Sequence, residues 1–222
     1  MNDYIFDLIS QGRYFDARNK IIEMNTVDIA NLFEELDRQH LIFMFRILPK
    51  DIAAQVFSYA SSDLQRFIIE SIVDTEIKSI MDQLFMDDTI DFLEEMPSNV
   101  VKRVLENVDD KTRKLINQFL SYPENSAGSI MTIEYADLKQ EMTAKEALNH
   151  IRKTGIDKET INTCYVLDND RRLKGVISIR KLILSAEDTL IKDIMDTEMI
   201  FIHTLDDQEA IAIQFKKYDL LS

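Results

Sequence analysis

Asp87 and Asp91 stand four residues apart in the segment MDDTIDFLEEMP, residues 86–97, so on a helix their carboxylates project from one face, with Asp88 beside them at the helix start. Like charges about 4 Å apart repel by about 1 kcal/mol in water and about 4 kcal/mol near a protein surface. An oxygen-seeking divalent cation placed between them relieves that repulsion. The spacing serves a plain helix start as well, with Asp88 as the cap and the other two facing solvent. Other groupings offer less. His40, His150 and His203 lack the spacing of a metal triad. Four glycines in the whole chain leave no room for a phosphate-cradling loop. Nor do the serines, Cys164 and scattered histidines assemble a nucleophile with its base. The chain is expected to bind, and not to be an enzyme.

Composition points the same way. Against 40 Asp and Glu the 222 residues carry 26 Lys and Arg, a formal charge of −14, which repels nucleic acid and anionic lipid headgroups and favours cations. Cys164, the single cysteine, lies in the apolar run Cys164-Tyr165-Val166-Leu167, where a small buried residue in a reducing compartment is the natural reading. The N-terminus has no basic segment followed by an apolar one, and the most apolar stretch, LIFMFRIL at 41–48, falls far short of a membrane span, so the chain as given reads as soluble.

Two kinds of element must position these acids. Up to about residue 120, apolar residues recur at three- and four-residue spacing (Ile29, Leu32, Phe33, Leu36; Val100, Val101, Val104, Leu105). Breaks at Gly12, 48–51, 61–63, 73–76, 96–98 and 108–110 each offer an N-cap residue for the next helix. Helices of two or three turns are marginal alone and must stack, which predicts an all-α solenoid, or superhelix. After Gly128 the pattern changes to strand, helix, strand, strand, helix: a capping box Thr143-Ala144-Lys145-Glu146, apolar runs 163–167 and 175–179, and a turn at 168–172. This is an α+β module. Ile130-Met131 and Glu146-Ala147 recur as Ile194-Met195 and Glu209-Ala210, with Asp206 to Glu209 as a second capping box. The second copy reads only as far as Ser222, so further chain or a partner is expected to complete it.

These residues carry a resemblance. The Met-Thr, Thr-x-x-Glu-Ala helix, apolar strand, Asp turn and Leu-x-Gly-Val-Ile-Ser resemble a CBS module with a truncated tandem copy. The seam YPENSAGSIMT resembles the segment that joins the helical N domain of MgtE-type magnesium transporters to their CBS pair, and MDDTIDFLEEMP upstream resembles that family's Asp-Asp-x-x-Asp-x-Leu-Glu-Glu-Leu-Pro segment. The fold implied is α+β and multidomain: a helical N domain at 1–125, a first CBS module at 126–188 and a partial second at 189–222.

The resemblance implies a Mg²⁺-sensing gate on the cytoplasmic side of the cell membrane, in which Mg²⁺ bridges acids of the N domain, Asp87 and Asp91, to Asp207, Glu209 and Asp219 of the CBS region, with Gly128 at the junction. The expected partners are Mg²⁺, a second copy through the CBS modules and the chain's own transmembrane domain. Locally, Glu209 is also the third helical residue of a capping box and Asp207 suits a helix start, while Asp219 has no local reason to be acidic. Gly128 equally suits a turn or helix C-cap. The alternative is a soluble helical-repeat and CBS interaction or scaffold protein without a membrane part, for which a nucleotide response is one option. Nucleotide-binding CBS modules place an Asp where this chain has Lys181, however, and a lysine cannot accept the ribose hydroxyls.

Overall fold

The computed structural model describes residues 2–220 in two compact units, one taking in the residues up to Leu84 with Asp88–Leu120, the other Phe85–Asp87 with the residues from Ser121 onward. Leu221 and Ser222, the last residues of the expected second copy, lie outside the described residues.

The helices of the first part are α1 (Asn2–Ser10), α2 (Tyr14–Ile21), α3 (Thr26–Glu34), α4 (Arg38–Ile47), α5 (Lys50–Tyr59), α6 (Ser62–Ser71), α7 (Asp74–Met81), α8 (Met86–Glu94), α9 (Ser98–Asn107) and α10 (Asp110–Phe119). None is long enough to stand alone, and they stack on one another: α3 on α5, α5 on α7 and α7 on α9, with α1 on α2, α2 on α4 and α6 on α9. Phe33 and Phe57 are fully buried, and the Phe57 and Phe92 rings meet edge to face at 5.0 Å. Arginines satisfy exposed carbonyls at helix ends. Arg18 Nε donates to Ile47 O at 2.6 Å, and Arg103 donates to Ile69 O at 2.6 Å and Ile72 O at 2.8 Å while pairing with Asp74.

Asn25, Asp37, Ser61 and Asp109 cap the helices that follow them, as their side chains allow. At the other four expected breaks the start differs, and after Gly12 the cap residue of α2 is Arg13, with no side-chain cap hydrogen bond. Pro49 and Pro97 hold the cap positions without a side-chain acceptor, and at Val73 the backbone N–H is taken by Glu76 reaching back, at 2.9 Å. Proline's fixed φ limits the conformations open to the chain at two of these points, without supplying an acceptor for the first amides.

The second unit contains α11 (Ala127–Ile130), β1 (Tyr135–Lys139), α12 (Ala144–Thr154), a 3₁₀ turn (Gly155–Asp157), β2 (Thr160–Leu167), β3 (Leu173–Ser178), α13 (Ile179–Leu184), α14 (Ile191–Ile194) and α15 (Gln208–Tyr218). β1 pairs with β2 in parallel and β2 with β3 antiparallel, giving the order β1-β2-β3. Alternation places Ala136, Leu138, Cys164, Val166 and Ile177 inward against Ala147 and Ile151 of α12 and Leu182 of α13. The capping box forms at Thr143 and Glu146, whose carboxyl is held below its usual range by the Thr143 N–H and hydroxyl. In the β2–β3 turn, Asp168 Oδ1 accepts from Asp170 N–H at 3.0 Å and Arg172 N–H at 2.9 Å, and Arg171 takes a left-handed φ of 59°.

Candidate functional site

Helix α8 follows Phe85, whose side chain has no acceptor for the first helical amides. Instead, Met86 N–H donates to Glu134 Oε1 at 3.2 Å. The other oxygen, Oε2, accepts from Thr132 Oγ1 at 2.9 Å and Ile133 N–H at 3.2 Å, which fixes the carboxylate in place. Asp88, expected as the cap, lies within the first turn as its third residue, and Glu134 takes the role of acceptor. Asp87 is half-buried; its Oδ1 is shielded from solvent and has no hydrogen-bond partner among the described residues. Asp91, one turn on along the same helix, is exposed. A shielded polar atom without a partner costs on the order of 1–3 kcal/mol, more if charged, so Asp87 Oδ1 suits a cation.

The remaining candidates lie on the junction stretch and on α15. Ala127 N–H donates to Asp206 O at 2.8 Å, Gln208 N–H to Asn125 O at 2.8 Å and Gly128 N–H to Thr204 O at 2.7 Å. These bonds bring Gly128 beside the residues that lead into α15 and set Ser126 opposite Asp207 in an antiparallel bridge. Gly128 has no left-handed φ and is not a C-cap; it lies in α11. Its need for glycine comes from Tyr122, because a Cβ there would fall 2.5 Å from ring carbons Cγ and Cδ1.

Asp207 is the N-cap of α15, accepting from Glu209 N–H at 2.9 Å and Ala210 N–H at 3.3 Å. The second capping box does not form as expected. Asp206 instead accepts from His203 N–H at 2.8 Å, the cap moves one residue on, and Glu209 becomes the second helical residue, exposed. Asp219 does have a local reason to be acidic: it ends α15 in the left-handed region, φ 52° and ψ 45°, which Asp and Asn tolerate better than most. Glu209 and Asp219 thus sit at opposite ends of one helix, roughly 15 Å apart at 1.5 Å per residue, and cannot share one ion.

A stacked-helix domain followed by a parallel–antiparallel three-stranded sheet with two covering helices defines a helical-repeat plus CBS-type protein. Residues 24–125 match the MgtE intracellular N domain and residues 127–188 the CBS domain. The chain is 31% identical over 216 residues to the magnesium transporter MgtE of Thermus thermophilus, covering 96% of this chain and 48% of the relative, and 28% identical over 218 residues to that of Bacillus subtilis (strain 168), covering 98% and 48%. It spans about half the length of the curated relatives it matches. Among solved structures, the cytosolic domain of the Mg²⁺ channel MgtE in complex with ATP superposes with a TM-score of 0.91 at 30% identity over 99% of this chain and 90% of that one. The soluble part of a magnesium transporter gives the same TM-score at 23% identity, over 99% and 87%, a likeness of fold. The chain belongs to the MgtE family.

Mg²⁺ fits the residues present. It keeps several waters and takes one or two carboxylates from a protein, so a carboxylate oxygen without a donor at Asp87 is the kind of group it uses. Among the described residues no three His, Cys, Asp or Glu side chains are gathered to hold a metal by themselves. Glu134, Tyr122 and Ser126 escaped sequence reasoning, although Tyr122 and Ser126 lie inside YPENSAG and Glu134 follows Thr132 by two residues.

Proposed function

We propose that this chain is the Mg²⁺-sensing regulatory region of a magnesium transporter, acting on the cytoplasmic side of the membrane beside its own transmembrane domain and pairing with a second copy through its CBS region. The observation that carries this reading is the shielded, unpartnered Asp87 Oδ1 at the start of an acidic helix. The family supports the choice of Mg²⁺. When Mg²⁺ is abundant, Asp87, with Asp91 one turn along α8, binds the ion together with acids of the CBS region, Asp207 first, and with the backbone at Gly128; Glu209 and Asp219 serve other ions. When Mg²⁺ falls, uncompensated carboxylates repel and the acidic segments separate. A millimolar site is worth about 4 kcal/mol, whereas moving a two-state equilibrium from end to end takes about 5.5 kcal/mol, so several ions act together. No helix among the described residues is long and apolar enough to cross a membrane.

The test is a MgCl₂ titration to about 20 mM, roughly twenty times a ~1 mM dissociation constant, followed by X-ray scattering and thermal melting, against NaCl at equal ionic strength. Mg²⁺ should reduce the radius of gyration and raise Tm, while NaCl, which screens charge without bridging it, should do little. Asp87→Asn with Asp91→Asn should shrink the Mg²⁺ response. Equal dimensions and equal Tm with and without Mg²⁺ would sink the proposal.

A further inference from the structure

Ser126 is 3% exposed, and its Oγ has no hydrogen-bond partner among the described residues, a condition it shares with Asp87 Oδ1. Its backbone is fully engaged. Its N–H donates to Pro123 O at 3.2 Å, and its carbonyl accepts from Ser129 N–H at 3.1 Å and Ser129 Oγ at 2.9 Å. The hydroxyl alone is left over. A buried hydroxyl that has given up water and found no partner destabilises the fold, so its retention needs a reason.

The backbone geometry says what it faces. Asn125 O accepts from Gln208 N–H and Asp206 O from Ala127 N–H, so Ser126 and Asp207 are the pair between those two bonds. In an antiparallel bridge such a non-hydrogen-bonded pair has its Cα atoms about 4.5 Å apart and its side chains on one face, close together. The unpartnered hydroxyl therefore stands beside the Asp207 side chain. Asp207 Oδ1 is committed to the amides of α15. Gly128, two residues on, continues the same stretch.

We infer that Ser126 is a neutral oxygen ligand of the Mg²⁺ site, contacting the ion or one of its retained waters next to Asp207, an assignment that rests on the Mg²⁺-sensing reading above. A hydroxyl is suited to the place: it has two lone pairs for an ion and a proton for a neighbouring carboxylate, and it adds no charge to an already acidic site. Mg²⁺, filling its octahedron partly with water, needs neutral oxygens around one or two carboxylates. The serine thus carries its cost in the ion-free state and recovers it on binding.

This gives two readouts of opposite sign. In Ser126→Ala the unsatisfied hydroxyl is gone, so Tm without Mg²⁺ should hold or rise, while the Mg²⁺ concentration at half-maximal Tm shift should increase about tenfold, the size expected for losing one hydrogen bond to a charged group. A merely structural serine would do the reverse, lowering the ion-free Tm and leaving the midpoint unmoved, and that result overturns the inference. Asp87→Asn run alongside separates the two levels. If it abolishes the Mg²⁺ response while Ser126→Ala titrates like the parent, the sensing reading stands and the serine assignment falls. If Asp87→Asn also titrates like the parent, both fall. Should the alanine variant not fold, Ser126→Cys, of similar shape but a poor oxygen substitute for a hard ion, decides alone: a raised Mg²⁺ midpoint supports the assignment and an unchanged one overturns it.

Discussion

Glu134 Oε1 accepts the backbone N–H of Met86 at 3.2 Å, across 48 residues of chain, so the acidic helix α8 is started by a carboxylate from beyond the junction. The residue before this helix is a phenylalanine, which offers no side-chain acceptor, and Glu134 satisfies the first helical amide from a distance. It also holds the peptide next to Asp87 on the same unit as Ser126 and Asp207.

Replacing Glu134 by Ala should cost about 1 kcal/mol, the usual value of a helix cap, and should speed amide exchange at Met86 and its neighbours. Glu134→Gln keeps a carbonyl oxygen for Met86 N–H and should recover most of the protection. Exchange in the alanine variant as slow as in the parent would show that the contact contributes nothing.

A methyl group at residue 128 would meet the Tyr122 ring at 2.5 Å, so Gly128→Ala forces the ring or the backbone to move. We expect a loss of about 1–3 kcal/mol, the range for overpacking, measured by urea denaturation. Tyr122→Ala removes the obstacle, and the double variant should lose clearly less than the sum of the two single losses. Simple additivity would place the strain elsewhere.

Burial pushes the Cys164 thiol up from its usual 9.0 to about 11. Between those values the unfolded chain has lost the proton and the folded chain retains it, so stability is fully present below about pH 9 and drains away as pH rises toward about 11. Denaturation midpoints over pH 8–11 should fall, and Cys164→Ala should flatten the fall while lowering stability at neutral pH through the small cavity it leaves. The native thiol should resist alkylation at neutral pH until the chain is unfolded.

Ser178 Oγ accepts from Lys181 N–H at 3.2 Å where α13 begins, so the lysine occupies the first turn at the place where nucleotide-binding CBS modules carry an aspartate. Its ammonium attracts phosphate but accepts no hydrogen bond from a ribose. Calorimetry should show no micromolar ATP binding, and Lys181→Asp should strengthen it. Tight ATP binding by the parent would mean that this family member recognises the nucleoside by other groups.

Much was legible from the residues in order. Recurrence at three and four residues marked the stacked helices, apolar runs marked β2 and β3, the Asp168 turn announced its hairpin, and Thr143 with Glu146 announced the start of α12. Each of these signals is local: the groups that interact lie within a few residues, so their types and spacing carry the information. The acidic start of α8 and the junction motif were visible for the same reason, as residue types at fixed spacing. What tied them down was not visible. Between the neighbours Asp206 and Asp207 the cap went to the second, because the first is held by His203 N–H, a choice made by the path of the backbone. Glu134 became the acceptor for α8, Tyr122 made residue 128 a glycine position, and Ser126 came to lie beside Asp207, 81 positions on by number, through hydrogen bonds between segments remote in the chain. Such pairings repeat with no period and depend on where folding brings two strangers together, so only the tertiary structure decides them.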